Sequence, residues 1–384
     1  MSAIRLNPFK GQEEEMSGAE SGTRFVAPQL LDLMAFPQEP GHEHRETLLA
    51  MAQSARLGGV GLVGLMPSVS PPADHDGVIR TLRHGARTEK TGVGFVPHGA
   101  LSLALKHEDI APMGELKAAG VRMVSDGGKP VRDTRFLRRV LEYAKNFDLP
   151  VHLTPVDPDL AEGALAPEGP ESTRLGLPCV PDVGERLAVL RAGEFARLTG
   201  AHVVLYPIVT AAGLDALKQL QNDGVSISGG TALPYLVWSV NDLSDYDSLY
   251  RLTPPLSRAD DVLALAAGVK DGSLSFLATG HRAVNLSEKE TELAVAEPGM
   301  AVLPHTWSFL QWLHKNRDIP MMSLVAAMTS GPAKILGIEP WDSEATLSEG
   351  EVDYGEELAR NIPNLPNATS LVADTDHPPQ PITI

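Results

Sequence analysis

Short apolar runs, each followed by an amphipathic stretch, recur along most of this 384-residue chain. No other feature narrows the possible folds as much. The runs lie at 24–36, 60–68, 92–101, 120–126, 150–156, 202–209, 225–233 and 274–281. The segments between them, such as HRETLLAMAQSARL and DTRFLRRVLEYAKNF, place apolar residues at three-and-four spacing and often end near glycine, which predicts helices. Most of the runs are almost continuously apolar rather than alternating, as parallel strands covered on both faces are. Eight strand–helix units over roughly 250 residues predict a TIM (β/α)8 barrel. An open doubly wound sheet is the alternative, but no GxGxxG opens any of the helices. Two further helical patterns, at 304–315 and 323–337, close the barrel region.

The two ends read differently. Residues 1–22 and 339–384 are rich in Glu, Asp, Pro, Gly and Ser, so a flexible N-terminal segment and an acidic, Pro-containing C-terminal tail are expected around a barrel domain at 23–338. The net charge of −17 repels phosphate backbones, which argues against nucleic acid as a partner. A single cysteine, Cys179, excludes an intrachain disulfide and a CxxC zinc site. The N-terminus has no apolar run of a signal peptide, and no stretch approaches the about 20 apolar residues of a membrane span. A soluble cytoplasmic protein is expected. Trp307 and Trp312 lie on a predicted helix, about 140° apart around its axis. Core packing is expected for at least one of them, and a partner-binding surface is the alternative for the other.

Reactive groups of a TIM barrel project from the C-terminal ends of its strands. Those ends carry Met34-Ala35-Phe36, Met66-Pro67-Ser68, Ser125-Asp126-Gly127, His152, Tyr206-Pro207 and Thr279-Gly280-His281. At this point the chain resembles the dihydroorotases of the amidohydrolase superfamily, from about residue 26 to 337. VAPQLLDLMAFPQEPGHEHRET resembles the family's VAPGFIDxHVHxREPGxExKET, and LMPSVSPPAD its MPNTNPxxD. SDGGKPVRD, EGPESTRLGLPCVPDVGE, TPPLSRADD and TSGPAKILGI match further family motifs in the same order. The resemblance implies an amidohydrolase-type barrel. It also implies an accessory β-sandwich, but the ends of this chain lack that domain's strand pattern, so the sandwich is expected to be reduced or absent.

Active relatives hold one or two divalent metals, zinc among them, at the barrel mouth. The resemblance places the two first-strand imidazole ligands at Met34 and Phe36. A thioether is poorly matched to zinc, and a phenyl ring has no lone pair. The substrate-binding Arg becomes Gln38 and the substrate-binding Asn becomes Ser68. One aspartate of the fourth-strand pair becomes Gly127 while Asp126 stays. The sixth-strand His becomes Pro207, and the eighth-strand Asp, ligand and proton shuttle, becomes Gly280. His152 and His281 survive. His42 and His44 flank Glu43 in an HxH pair, but fall past the ligand register, where a helix begins. A solvated, helix-initiating loop is expected there.

The resemblance therefore points to a protein with no catalytic residues, cofactor or metal, most similar to inactive chains that assemble with the catalytic chains of aspartate carbamoyltransferase. A structural or regulatory subunit in pyrimidine biosynthesis is expected, with self-association also open. The alternative is a divergent amidohydrolase, metal-independent or with a relocated mononuclear site built from Asp126, His152 and His281. A third reading is a small-molecule sensor using the emptied pocket. No GxSxG elbow or phosphate-binding loop appears, and Cys179 has no activator in its Pro-flanked loop.

Overall fold

The computed structural model of the chain describes residues 2–17, 23–86, 88–339, 341 and 344–348. Its first strands are β1 Ser2–Asn7, β2 Gln12–Ser17 and β3 Thr23–Pro28. Then follow β4 Leu30–Ala35, β5 Val60–Leu65, β6 Gly94–Pro97, β7 Gly99–Ala100, β8 Val124–Ser125 and β9 Val151–Leu153. After the short pair β10 Ala166–Pro167 and β11 Cys179–Val180 come β12 Val203–Leu205, β13 Ile227–Ala232, β14 Phe276–Ala278 and β15 Glu344–Ser348.

β4, β5 and β6 pair in parallel, and β7, β8, β9, β12, β13 and β14 form a second parallel run. The chain passes directly from β6 to β7. His98 N bonds back to Leu65 O at 2.8 Å, and Gly99 N bonds forward to Met123 O at 3.0 Å. β14 lies beside β4, so the ring closes. Each of the eight strand positions falls within one of the eight apolar runs. Strands such as Val203–Leu205 are buried throughout, because helices cover the outer face and side chains fill the inner one.

The closing seam is built by a side chain. Asp32 is fully buried, and its carboxylate accepts Thr279 N at 2.9 Å, the Thr279 hydroxyl, and Met34 N at 3.4 Å. Burial raises its pKa, opposed by the bonds from Thr279. Just above, Phe36 N donates to His281 O at 2.8 Å.

The helices present apolar faces to the ring. In Thr134–Lys145, Phe136, Leu137, Val140, Leu141 and Ala144 are buried, and Asp133 caps the N-terminus by accepting Arg135 N. Trp307 and Trp312 are both buried, at 7% and 8% exposure. Their helix is covered on more than one side, so neither serves as a partner surface. Among the described residues no helix is long and apolar enough to cross a membrane.

The ends correct the expectation of a flexible segment at 1–22 and a tail from 339. β1 and β2 form an antiparallel hairpin, β3 pairs in parallel with β1, and β15 pairs antiparallel with β3. One four-stranded sheet is thus built from both ends of the chain, ordered β15-β3-β1-β2. Leu6 is 2% exposed within the main core, and Ile4 packs against it. The Phe9 and Trp341 rings meet edge to face at 5.0 Å, and Trp341 Nε1 donates to Gln29 O at 3.0 Å. The strand signal was hidden because edge strand β2 carries Glu13, Glu14 and Glu15, all exposed. Charge on an edge strand guards against unwanted pairing. The rest of the expected tail, 349–384, lies outside the described residues.

Asp32→Ala leaves the Thr279 N–H and hydroxyl buried without their acceptor. Urea unfolding should show a loss of about 2–4 kcal/mol. A loss under about 0.5 kcal/mol would mean that the seam does not rely on this carboxylate.

Candidate functional site

Strand alternation puts Asp32, Met34 and Phe36 on one face of β4. They climb from the seam to the mouth. Asp32 ties β4 to the residue after β14, Met34 is fully buried beneath the mouth, and Phe36 emerges into a cavity of about 550 Å³. Of the positions singled out from sequence, Phe36, Gln38, Ser68, Gly127, His152, Pro207 and Gly280 line this cavity, whereas Met34, Asp126 and His281 do not.

His152 is 1% exposed, and both its ring nitrogens are occupied. Nε2 lies 3.1 Å from Tyr206 O, and Nδ1 lies 2.8 Å from Ser125 Oγ. A carbonyl only accepts, so Nε2 carries the proton. Nδ1 then accepts the Ser125 hydroxyl, whose oxygen accepts Gly127 N at 2.9 Å. The ring is a closed link between strands four, five and six. Burial pushes its pKa down to about 4, in keeping with a neutral imidazole. No lone pair is left for a metal.

Asp126 is equally enclosed. Its carboxylate accepts Thr154 N at 2.6 Å, Thr154 Oγ1 at 2.9 Å and Gly128 N at 3.0 Å. Burial nevertheless raises its pKa to about 6. His281 turns away from the mouth. Its Nε2 meets Glu46 at 3.0 and 3.1 Å, while Nδ1 accepts Val302 N at 3.1 Å and Leu303 N at 3.2 Å. Of the expected relocated set, Asp126 and His152 lie side by side, Oδ1 3.5 Å from Nδ1, but each is bonded to its own neighbours and His281 does not join them. Among the described residues no three His, Cys, Asp or Glu side chains are grouped to hold a metal ion.

Close packing surrounds two glycines at the mouth. Gly280 has φ +62°, and a Cβ there would sit 2.8 Å from the Tyr206 hydroxyl, a buried group with no hydrogen-bond partner among the described residues. Gly127 has φ +68°, and its Cβ would meet Leu105 at 2.8 Å. An aspartate at either place would be strained in backbone and blocked in space. Phe36 leans over Gly128, and Gln38 Nε2 bonds back to Phe36 O at 3.0 Å instead of facing a ligand. Two of the three Lys and Arg side chains at the cavity are neutralised, Arg45 by Glu288 at 2.5 Å and Arg282 by Glu297 at 2.7 Å, and Lys129 is the third. The lining fits neither a divalent metal nor the bidentate grip on a carboxylate that a free guanidinium provides.

His42 and His44 are exposed on the loop before the helix Leu48–Leu57, which Thr47 caps. Their rings meet edge to face at 6.0 Å, and His42 touches the cavity rim. Sequence reasoning named Tyr206 and Ser125 at strand ends without giving them a role, and missed Thr154 and Glu46; together these groups satisfy His152, His281 and Asp126. It also missed His98, fully buried with Nε2 2.8 Å from Leu33 O and its pKa pushed down to about 4 by burial. Ser125 adjoins Asp126, and a hydroxyl beside a surviving ligand was the available signal.

No family model matches the chain. It is 34% identical to the dihydroorotase of Syntrophobacter fumaroxidans over 319 residues, covering 83% of this chain and 72% of that one. It is 30% identical to the dihydroorotase of Acetivibrio thermocellus over 365 residues, covering 92% and 84%. Among solved structures, an L-hydantoinase (dihydropyrimidinase) from Arthrobacter aurescens superposes with TM-score 0.74 at 16% identity, covering 90% of this chain and 82% of that one. A dihydropyrimidinase from Brevibacillus agri gives TM-score 0.69 at 16% identity, covering 90% and 82%. The last two likenesses concern the fold.

Neutral, buried His152 implies a pH signature. Its pKa is depressed in the folded state, so its contribution to stability is full above pH 6.5 and is lost as pH falls toward 4. Across that window the two buried imidazoles, His152 and His98, each add a slope that lowers stability as pH falls, opposed by carboxylates whose pKa burial raises, Asp126 among them. His152→Gln, and independently His98→Gln, should each flatten the slope by up to about 1.4 kcal/mol per pH unit. Parallel slopes in all three proteins would contradict the neutral, enclosed rings.

Proposed function

This chain belongs to the dihydroorotase-like amidohydrolase family, and from that premise we propose that it has lost hydrolysis and serves as a structural or regulatory subunit of an aspartate carbamoyltransferase complex in pyrimidine biosynthesis. The observation that carries the first half is the enclosure of His152 between Ser125 and Tyr206, with Phe36 and Gly280 at the mouth ends of β4 and β14. A metal-dependent hydrolase needs an ion with an open position to activate water and polarise the amide. A missing proton shuttle alone costs ~10²–10⁴ in rate, and loss of the ion removes several kcal/mol more. Gln38, bonded to the backbone, supplies no charge for a substrate carboxylate.

The second half rests on the motif resemblance to inactive chains that accompany the transferase. It is supported by the closed barrel: the ring and its helices are fully packed, while the mouth presents no set of metal ligands among the described residues. A rigid body without chemistry of its own suits a scaffold.

Two measurements test the two halves. After equilibration with zinc and desalting, the chain should retain well under one metal per chain and show no hydrolysis of dihydroorotate above background. Stoichiometric metal with turnover would overturn the loss of function. On a sizing column the chain should co-elute with aspartate carbamoyltransferase catalytic chains. Separate elution at micromolar concentrations would overturn the subunit role.

The triple change Met34→His, Phe36→His, Gly280→Asp should not restore dihydroorotate turnover. The new aspartate meets the Tyr206 hydroxyl at a positive φ, and Pro207, Gln38 and Ser68 remain. Robust turnover would show that these obstacles are minor.

A further inference from the structure

A second, smaller cavity of about 230 Å³ lies beside the mouth, with Val156, Ala161, Thr253 and Pro254 in the wall between the two. Four loops enclose it: those after β9 and β12, and those leading into the helices Val183–Thr199 and Ala259–Asp271. Val156, Ala164, Val180, Val209 and Leu256 give it apolar walls. The last loop is held in place. Arg251 O accepts Gly299 N at 3.1 Å and the buried Lys289 Nζ at 3.2 Å, and Ser257 O accepts Val240 N at 2.8 Å.

Three residues lining this cavity each carry a buried polar atom with no hydrogen-bond partner among the described residues: Asp182 Oδ1, Arg251 Nε and Ser257 Oγ. Ser257 is only 2% exposed. Buried groups left this way are rare, because each costs free energy. A carboxylate oxygen only accepts, a guanidinium N–H only donates, and a hydroxyl does both. Among the charged side chains that line the cavity, no sign dominates. Asp182 pairs through its other oxygen with Arg258. Glu185 is closed by Val209 N and Thr210 N, both at 2.7 Å, and by the Thr210 hydroxyl. Burial pushes its pKa up to about 8, so this carboxyl is mostly neutral at pH 7. That leaves Asp157, which accepts Asp159 N at 3.0 Å and Leu160 N at 3.1 Å, against Arg251.

We propose that this side chamber, through Asp182, Arg251 and Ser257, binds a small uncharged molecule with a hydrogen-bond donor and an acceptor on one edge of an apolar body, as in a carboxamide on a ring. The donor meets Asp182 Oδ1, the acceptor takes Arg251 Nε–H or the Ser257 hydroxyl, and the body covers the apolar walls. An anion would satisfy Arg251 but face the carboxylates of Asp182 and Asp157. A cation would satisfy Asp182 but leave the Arg251 N–H without an acceptor. Water alone reaches the polar atoms and leaves the apolar walls wet. The chamber uses none of the emptied ligand positions at the mouth, so this inference stands apart from the subunit role.

The test titrates the full-length chain with benzamide, benzoate and benzamidine, three probes of nearly equal shape, by saturation-transfer NMR. Ser257→Ala removes the unpartnered hydroxyl. Ala164→Phe fills the chamber, with Val180→Phe, at a half-buried position, as a second filling variant. Ser68→Phe fills the mouth instead. Thermal melts confirm folding. Benzamide should bind with a Kd of about 1 mM or tighter, and the two charged probes at least about fivefold more weakly. Ser257→Ala should weaken benzamide about threefold and a filling variant about tenfold, while Ser68→Phe stays within about twofold. No benzamide binding at about 10 mM, or equal binding of all three probes, would overturn the proposal. So would binding that survives both filling variants, or that Ser68→Phe alone abolishes.

Discussion

A ring of parallel strands holds only if its first and last members meet, and here that meeting depends on one buried carboxylate. Asp32 grips the Thr279 backbone and hydroxyl, and the cavity opens directly above this seam. Phe36 follows Asp32 on the same strand face, and Gly280 follows Thr279 in sequence. The two positions that define the mouth are therefore positioned by an interaction with no part in any chemistry there. A change of side chains at the strand tips leaves the seam untouched, so a barrel of this kind can keep its fold while its mouth varies.

What the mouth has become is internally satisfied. Three polar groups near it answer to protein partners, His152 to Ser125 and Tyr206, Asp126 to Thr154 and Gly128, His281 to Glu46 and two backbone amides, while the Tyr206 hydroxyl has none among the described residues. A working metal site does the opposite and aims unsatisfied lone pairs at one point. Such aim is costly in a folded chain, because buried acceptors without partners destabilise it. Groups closed among themselves avoid that cost and are not presented to an ion.

The eight barrel strands were legible because parallel strands buried on both faces leave continuous apolar runs. That Phe36, Pro207 and Gly280 bring no ligating side chain to the mouth was legible, because this holds whatever the structure. Orientation was not legible. Whether His281 points into the mouth or away depends on Glu46, 235 residues distant in sequence. Whether Asp126 is free depends on Thr154, 28 residues on. The hairpin of residues 2–17 was missed for another reason: the glutamates that protect its edge erase the alternation by which a strand is recognised.

The state of one imidazole decides the central claim most directly. In histidine-selective ¹⁵N NMR, His152 should show a single neutral tautomer with the proton on Nε2. Its two nitrogen shifts should stay fixed when zinc is added. A proton on Nδ1, or a zinc-dependent shift of either His152 nitrogen, would mean that the ring is available to a metal.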